Sequence, residues 1–74
     1  MHRVRDENVL KAFGENLRKI RKEKGLTQEE LAFKSDIAFS SIVRIERGQL
    51  NTTISTVVRL AETLDIEKSV LFKF

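Results

Sequence analysis

The side chains best equipped for chemistry in this chain are hydrogen-bonding groups, not catalytic ones. In the stretch Phe39-Ser40-Ser41-Ile42-Val43-Arg44-Ile45-Glu46, helical spacing gives Ile42 and Ile45 the apolar side and turns Phe39, Ser40, Val43 and Arg44 outward. A serine hydroxyl both donates and accepts, and an arginine fork can pair bidentately with O6 and N7 of guanine. Phe39 offers the apolar contact that a thymine methyl can make. Plainer readings stand beside these: Arg44 as a solvated charge, Ser40 as support for the first helical turn, Phe39 folded back on Phe33 or on the turn before it. The groups that covalent or metal chemistry needs are missing. The chain has one histidine, His2, and no cysteine, so no cluster of soft or imidazole ligands is available for a metal. Its many serines and threonines have no evident base partner, and there is no glycine-rich phosphate loop. The chain is read as a non-enzyme, without cofactor or metal.

Size and charge narrow the class further. Seventy-four residues, 41% of them hydrophobic, make one folded domain, 1–74. So small a core has a thin margin of stability, and without cysteine no disulfide can reinforce it. No apolar run reaches the roughly 20 residues that span a bilayer. The charged start Met1-His2-Arg3-Val4-Arg5-Asp6 does not read as a secretory signal. These features predict a cytoplasmic protein without a membrane partner. The net charge of +3 is unevenly placed: residues 1–24 hold eight Lys/Arg against four Asp/Glu, and the remainder six against seven. A basic end suits a polyanion, and equally a solubilising face.

Five helices are predicted to position these groups. The first runs from about Glu7 to Lys24 on the stripe Leu10, Phe13, Leu17 and Ile20, ends at Gly25, and carries Gly14 in its middle. The second begins after Thr27, where Thr27-Gln28-Glu29-Glu30 reads as a capping box and Leu26 as its staple; Leu31, Ala32 and Ser35 face inward. The third runs from about Phe39 to Arg47 and stops at Gly48. Only Asp36-Ile37-Ala38 separates it from the second, the spacing of a helix-turn-helix over about 27–47. The fourth follows Thr53 and runs to Leu64, with Ile54, Val57, Val58, Ala61 and Leu64 as its inward stripe and Leu60 beside it. A short fifth is expected over Lys68 to Leu71 or Phe72. Strand signals are weak, and the fold class is all-α.

Leu26-Thr27-Gln28-Glu29-Glu30-Leu31-Ala32, then Ile42-x-x-Ile45-Glu46-Arg47-Gly48, then Leu60-Ala61, resembles the Cro/repressor-type (XRE) helix-turn-helix family of transcriptional regulators. That family includes phage repressors and controller proteins of restriction–modification systems. The resemblance covers about Phe13 to Ile66. It implies a lambda-repressor-like five-helix bundle that sets its third helix in the major groove of double-stranded DNA, and a homodimer on a pseudo-palindromic operator. Base reading then falls to Phe39, Ser40 and Arg44, with Ser41 in reserve. Phosphate contacts fall to Thr27 and Gln28 at the start of the second helix and to Arg47, Gln49 and Asn51 after the third; Lys34 and the N-terminal basic residues are weaker choices. Family members dimerise through the fifth helix, which points here to Val70, Phe72 and Phe74, with Ile66 and Leu71 turned inward; these apolar residues can equally complete the monomer core. Glu29 and Glu30 can face RNA polymerase, a further partner, when the protein is bound, and can equally serve the helix start. An antitoxin or protein-interaction module on the same fold is the rival reading, favoured by exposed Phe33, Val43 and Phe39.

Arg21 continues the inward stripe one turn beyond Leu17, and Glu46 lies one turn beyond Ile42. Two opposite charges aimed inward predict a partly buried structural salt bridge, which the resemblance supports. Two positions depart from the family pattern. Asp36 stands where glycine is common in the turn, and Ala38 stands at the third helix's N-cap, where Ser or Thr is usual.

Overall fold

Each helix in this chain is delimited by the chemistry of the residues just outside it. The structure, a computed structural model, describes residues 5–74; His2 and Arg3, of the basic N-terminal group, lie outside them. Helix α1 spans Glu7–Glu23, α2 Gln28–Ser35, α3 Phe39–Glu46 and α4 Ile54–Leu64, followed by a 3-10 helix over Lys68–Phe72. Asp6 caps α1 by accepting hydrogen bonds from the backbone N–H groups of Asn8 and Val9 at 3.0 and 3.2 Å. Thr53 caps α4 by accepting from the Thr56 N–H at 3.2 Å. At α2 the capping box is complete: Thr27 Oγ1 accepts from the Glu30 N–H at 3.0 Å, and the Glu30 carboxylate accepts from the Thr27 N–H at 2.9 Å.

One device ends all four α-helices. A left-handed residue follows the last turn, and the next N–H donates back to a carbonyl five residues earlier: Leu26 to Arg21, Ile37 to Ala32, Gln49 to Arg44 and Ile66 to Ala61, at 2.8–3.1 Å. Glycine supplies the left-handed residue twice (Gly25, Gly48) and aspartate twice (Asp36, Asp65), aspartate being among the few side chains that tolerate it. Asp36 thus keeps the tight turn where the family often has glycine. Leu26, Ile37 and Ile66, which follow three of these turns, pack against the core, so each termination also aims an apolar side chain inward.

The core joins all five elements. Leu17, Leu31, Ile42, Ile45, Leu60, Leu64 and Leu71 are fully buried, with Phe13, Ile20, Ala32 and Ala61 around them. Helix α1 packs on α3 and on the 3-10 helix, α2 on α3 and α4, and α4 on the 3-10 helix. Gly14 is buried where α1 crosses the end of α3. A Cβ there would run into the carbonyl oxygens of Ile45 and Glu46, the latter at 2.7 Å.

Two expectations are corrected. The fifth element is not an α-helix: over five residues the chain makes i to i+3 bonds, such as Val70 N–H to Glu67 O at 3.0 Å. Asn16 of α1 steadies this segment by donating to the carbonyls of Val70 and Leu71, both at 2.9 Å. The other correction concerns Ile54, which does not join the inward stripe of α4. The buried side is Leu60, Ala61 and Leu64, flanked by half-buried Val57 and Val58, and Ile54 stands 84% exposed. The first turn of α4 lies at the edge of a groove beside α1 that no side chain among the described residues fills.

Gly14→Ala is expected to destabilise the fold by about 1–3 kcal/mol in urea unfolding. Alanine's helix advantage of about 1 kcal/mol is outweighed because the atoms in its way are backbone; a more stable variant would refute the close approach. The two hydrogen bonds from Thr27, the backbone one foremost, hold the Glu30 carboxyl below its ordinary range. A lowered folded value means that the box stabilises the protein above the unfolded carboxylate pKa, near 4.3, and is lost as pH falls through the lower folded value. The stability gap between wild type and Glu30→Gln should therefore close in acid; a gap that stays constant would show that the charge plays no part.

Candidate nucleic-acid interface

Helix α3 is held from behind by ion pairing and presents its N-terminal end to solvent. Its inner side is Ile42, Ile45 and Glu46, all buried. Arg21 of α1 meets Glu46 as a fork: Nε donates to Oε2 at 2.6 Å and Nη2 to Oε1 at 3.0 Å. The third guanidinium nitrogen, Nη1, donates to the Leu26 carbonyl at 2.8 Å. Glu46 Oε1 also accepts from Gln28 Nε2 at 3.1 Å. Both charged side chains are more than nine-tenths buried. The hydrogen bond to Glu46 raises the Arg21 pKa, partly offset by burial, so the guanidinium stays charged. The result is a three-element lock joining α1, the start of α2 and the end of α3.

The proposed base-reading residues occupy the free end. Ser40 and Arg44 are exposed, Phe39 is about half exposed, and Ser41 is half-buried. Val43 is half-buried and so does not share the fully outward position read from spacing. Ala38 gives α3 no side-chain cap. The first turn is instead closed by Ser41 and Ile42 N–H groups donating to the Ala38 carbonyl at 3.0 and 3.1 Å. Among the described residues Phe39 makes no ring pair with Phe33, which stands 88% exposed on α2.

The proposed phosphate contacts fall into separate groups. Thr27 is exposed at the start of α2, beside Gln28. Gln28 is half-buried and spends one donor on Glu46, which leaves the other N–H of its amide for an outside acceptor. Arg47 and Gln49 are exposed and share a polar cleft with Lys11, Glu15 and Glu46. Arg5 reaches the same loop, its Nη2 lying 3.4 Å from the Gln49 carbonyl. Asn51 is exposed on a different surface, the edge of the apolar groove. Of the C-terminal residues, Val70 is half-buried, while Phe72 and Phe74 are mostly exposed; the Phe72 ring lies 5.4 Å from that of Phe13.

Spacing missed the Gln28–Glu46 bond, because nothing local links residues 18 positions apart. Asn16 was detectable: it lies three residues after Phe13 and four before Ile20, a polar group set into an apolar stripe. Asp6 was detectable too, as an N-cap residue directly before the helix.

The tight turn between α2 and α3, with α3 braced from behind and open at its N-terminal end, defines a helix-turn-helix protein. The helix-turn-helix family HTH_3 matches residues 17–71, and the chain belongs to this family of Cro/repressor type. It is similar to the HTH-type transcriptional regulator y4dJ of Sinorhizobium fredii, 39% identical over 59 residues that cover 80% of this chain and 77% of the relative. It is similar also to the control protein C.BamHI of Bacillus amyloliquefaciens, 32% identical, over 90% of this chain and 84% of the relative. Among solved structures, the restriction–modification controller protein C.AhdI of Aeromonas hydrophila is 46% identical, with a TM-score of 0.84, over 85% of this chain and 96% of that one.

Glu46→Ala should cost about 3–5 kcal/mol of stability, since it strands a buried guanidinium. The double replacement Arg21→Met with Glu46→Leu should cost far less, because no charge is left unpaired. Equal losses in urea unfolding for the single and the double variant would mean that packing, not charge, governs the site.

Proposed function

We propose that this chain is a sequence-specific double-stranded DNA-binding transcriptional regulator that acts as a homodimer on a pseudo-palindromic operator, as the controller of a restriction–modification operon. The observation that carries the reading is the exposure of Ser40 and Arg44 on the outer side of a helix whose opposite side is clamped by Arg21 and Glu46. A clamped helix presents its donors at a defined angle, which base readout requires. The names of the relatives, transcriptional regulators and controller proteins of similar length, support the same reading.

In this mechanism Arg44 pairs with guanine, Ser40 with a neighbouring base edge, and Phe39 covers a thymine methyl, with Ser41 behind them. Thr27 and the free amide N–H of Gln28 hold one stretch of phosphates, Arg47 and Gln49 hold another, and Asn51, on its separate surface, makes a third contact. Because Gln28 is bonded to Glu46, a phosphate on its amide is coupled to the seat of α3. Two copies read half-sites about 34 Å apart, joined through Val70, Phe72 and Phe74. The protein works in the cytoplasm, without enzymatic activity, and Glu29 and Glu30 are the surface offered to RNA polymerase. Phe33, 88% exposed on α2, favours the second reading, an antitoxin or protein-binding module.

Footprinting and gel shifts on the DNA upstream of its own gene test the proposal. Arg44→Ala should lose about 10–100-fold in affinity, with relaxed choice at one base position per half-site. Arg47→Ala should weaken all sequences alike and flatten the salt dependence. Absence of DNA binding, together with a stable complex with a neighbouring gene product, would favour the protein-binding reading instead.

A further inference from the structure

Gly48 seats the N-terminal half of α1 against the loop that follows α3. It is buried and left-handed, and a Cβ there would meet the Cα and Cγ of Lys11, both at 2.8 Å. This close approach sets Lys11 beside Arg47 and Gln49 in one polar cleft with Glu15 and Glu46. Arg5 reaches the same loop: its Nε donates to Glu7 at 2.8 Å, and its Nη2 lies 3.4 Å from the Gln49 carbonyl oxygen.

The charges here do not cancel. Glu46 is matched by Arg21, and Glu7 by Arg5. Lys11 and Arg47 are exposed and make no ion pair among the described residues. Of the residues that line the cleft, Glu15 alone opposes them with a free carboxylate.

We propose that the N-terminal half of α1 is part of the DNA-binding surface, with Lys11, and Arg5 beside it, on the phosphate backbone next to Arg47; this rests on the DNA-binding reading above. The cleft is continuous with the reading helix. Arg47 follows Arg44 by three residues, about 4.5 Å along the axis, so the duplex that meets Arg44 brings a phosphate strand past Arg47 and Lys11. The chemistry suits phosphate. An ammonium on a flexible stem binds it as a point charge and needs no fixed geometry. The exposed Arg5–Glu7 pair is weak, so Arg5 can exchange it for a phosphate. The surplus of eight Lys/Arg over four Asp/Glu in residues 1–24 thereby gains a place in binding.

The test is fluorescence anisotropy of the full chain on a mixed-sequence duplex across a salt series, with circular dichroism to verify folding. Phosphate contacts are independent of sequence, so no operator is needed. Lys11→Gln keeps the Cγ that packs on Gly48 and removes the charge. It should flatten the slope of log affinity against log salt by about 0.9 and weaken binding by about 5–10-fold near 0.1 M salt. Lys68→Gln removes the same charge from a separate cleft, among Glu62, Asp65 and Glu67, and should leave the slope unchanged. Glu15→Gln should tighten binding by about 2–5-fold, a gain that a damaged fold cannot produce. A wild-type slope for Lys11→Gln, an equal loss for Lys68→Gln, or no gain for Glu15→Gln would overturn the proposal while leaving the regulator reading intact. A wild type that binds neither this duplex nor the DNA upstream of its own gene would overturn both.

Discussion

The bidentate pair between Arg21 and Glu46 is the constraint on which the rest of the structure depends. Taking two charges out of water is costly, and an apolar pair of similar size is often as stable. What the pair provides is direction. A guanidinium fork and a carboxylate meet in one plane, and the remaining donor of Arg21 reaches the Leu26 carbonyl at 2.8 Å. Gln28 closes the other side of Glu46. Helix α1, the α1–α2 turn and the start of α2 thereby converge on the last turn of α3. Gly14, seven residues before Arg21, lets the α1 backbone reach the carbonyls of Ile45 and Glu46. The C-terminal end of α3 is clamped by both backbone and side chains, and its N-terminal end is left to project.

That asymmetry explains the surface chemistry. With Ala38 in place of a hydroxyl cap, α3 begins without side-chain support, and its position comes from the far end and from Ile42 and Ile45 beneath it. Its outer side carries Phe39, Ser40 and Arg44, which lie outside the buried core cluster. The core-facing residues and the exposed Ser40 and Arg44 thus occupy different sides of one eight-residue helix.

The same helix α1 organises the opposite surface. Asn16 holds the carbonyls of Val70 and Leu71, and Phe13 faces Phe72. The segment that carries the exposed aromatics is therefore fixed to the helix that also holds α3. A rigid link of this kind fixes the C-terminal segment and α3 to one common helix. Among the described residues the apolar groove beside α4 has Ile54 at its edge.

Much of this was legible in the linear chain, because helix limits are written locally. The Thr27 and Glu30 box, the Thr53 cap, the stops at Gly25 and Gly48, and the left-handed tolerance of Asp36 each involve residues a few positions apart. The stripe Phe13, Leu17, Ile20, Arg21 and the inward setting of Ile42, Ile45 and Glu46 follow from helical period alone. The tertiary structure decided what period cannot express. It decided that Gln28 is shared between Glu46 and the outside, that Asn16 holds the C-terminus, and that the last element winds as a 3-10 helix. It also left Ile54 bare, although its spacing matches the buried stripe. A local pattern says which side of a helix is apolar. Only the packed neighbours determine how far along that side the core extends and which polar groups meet across it.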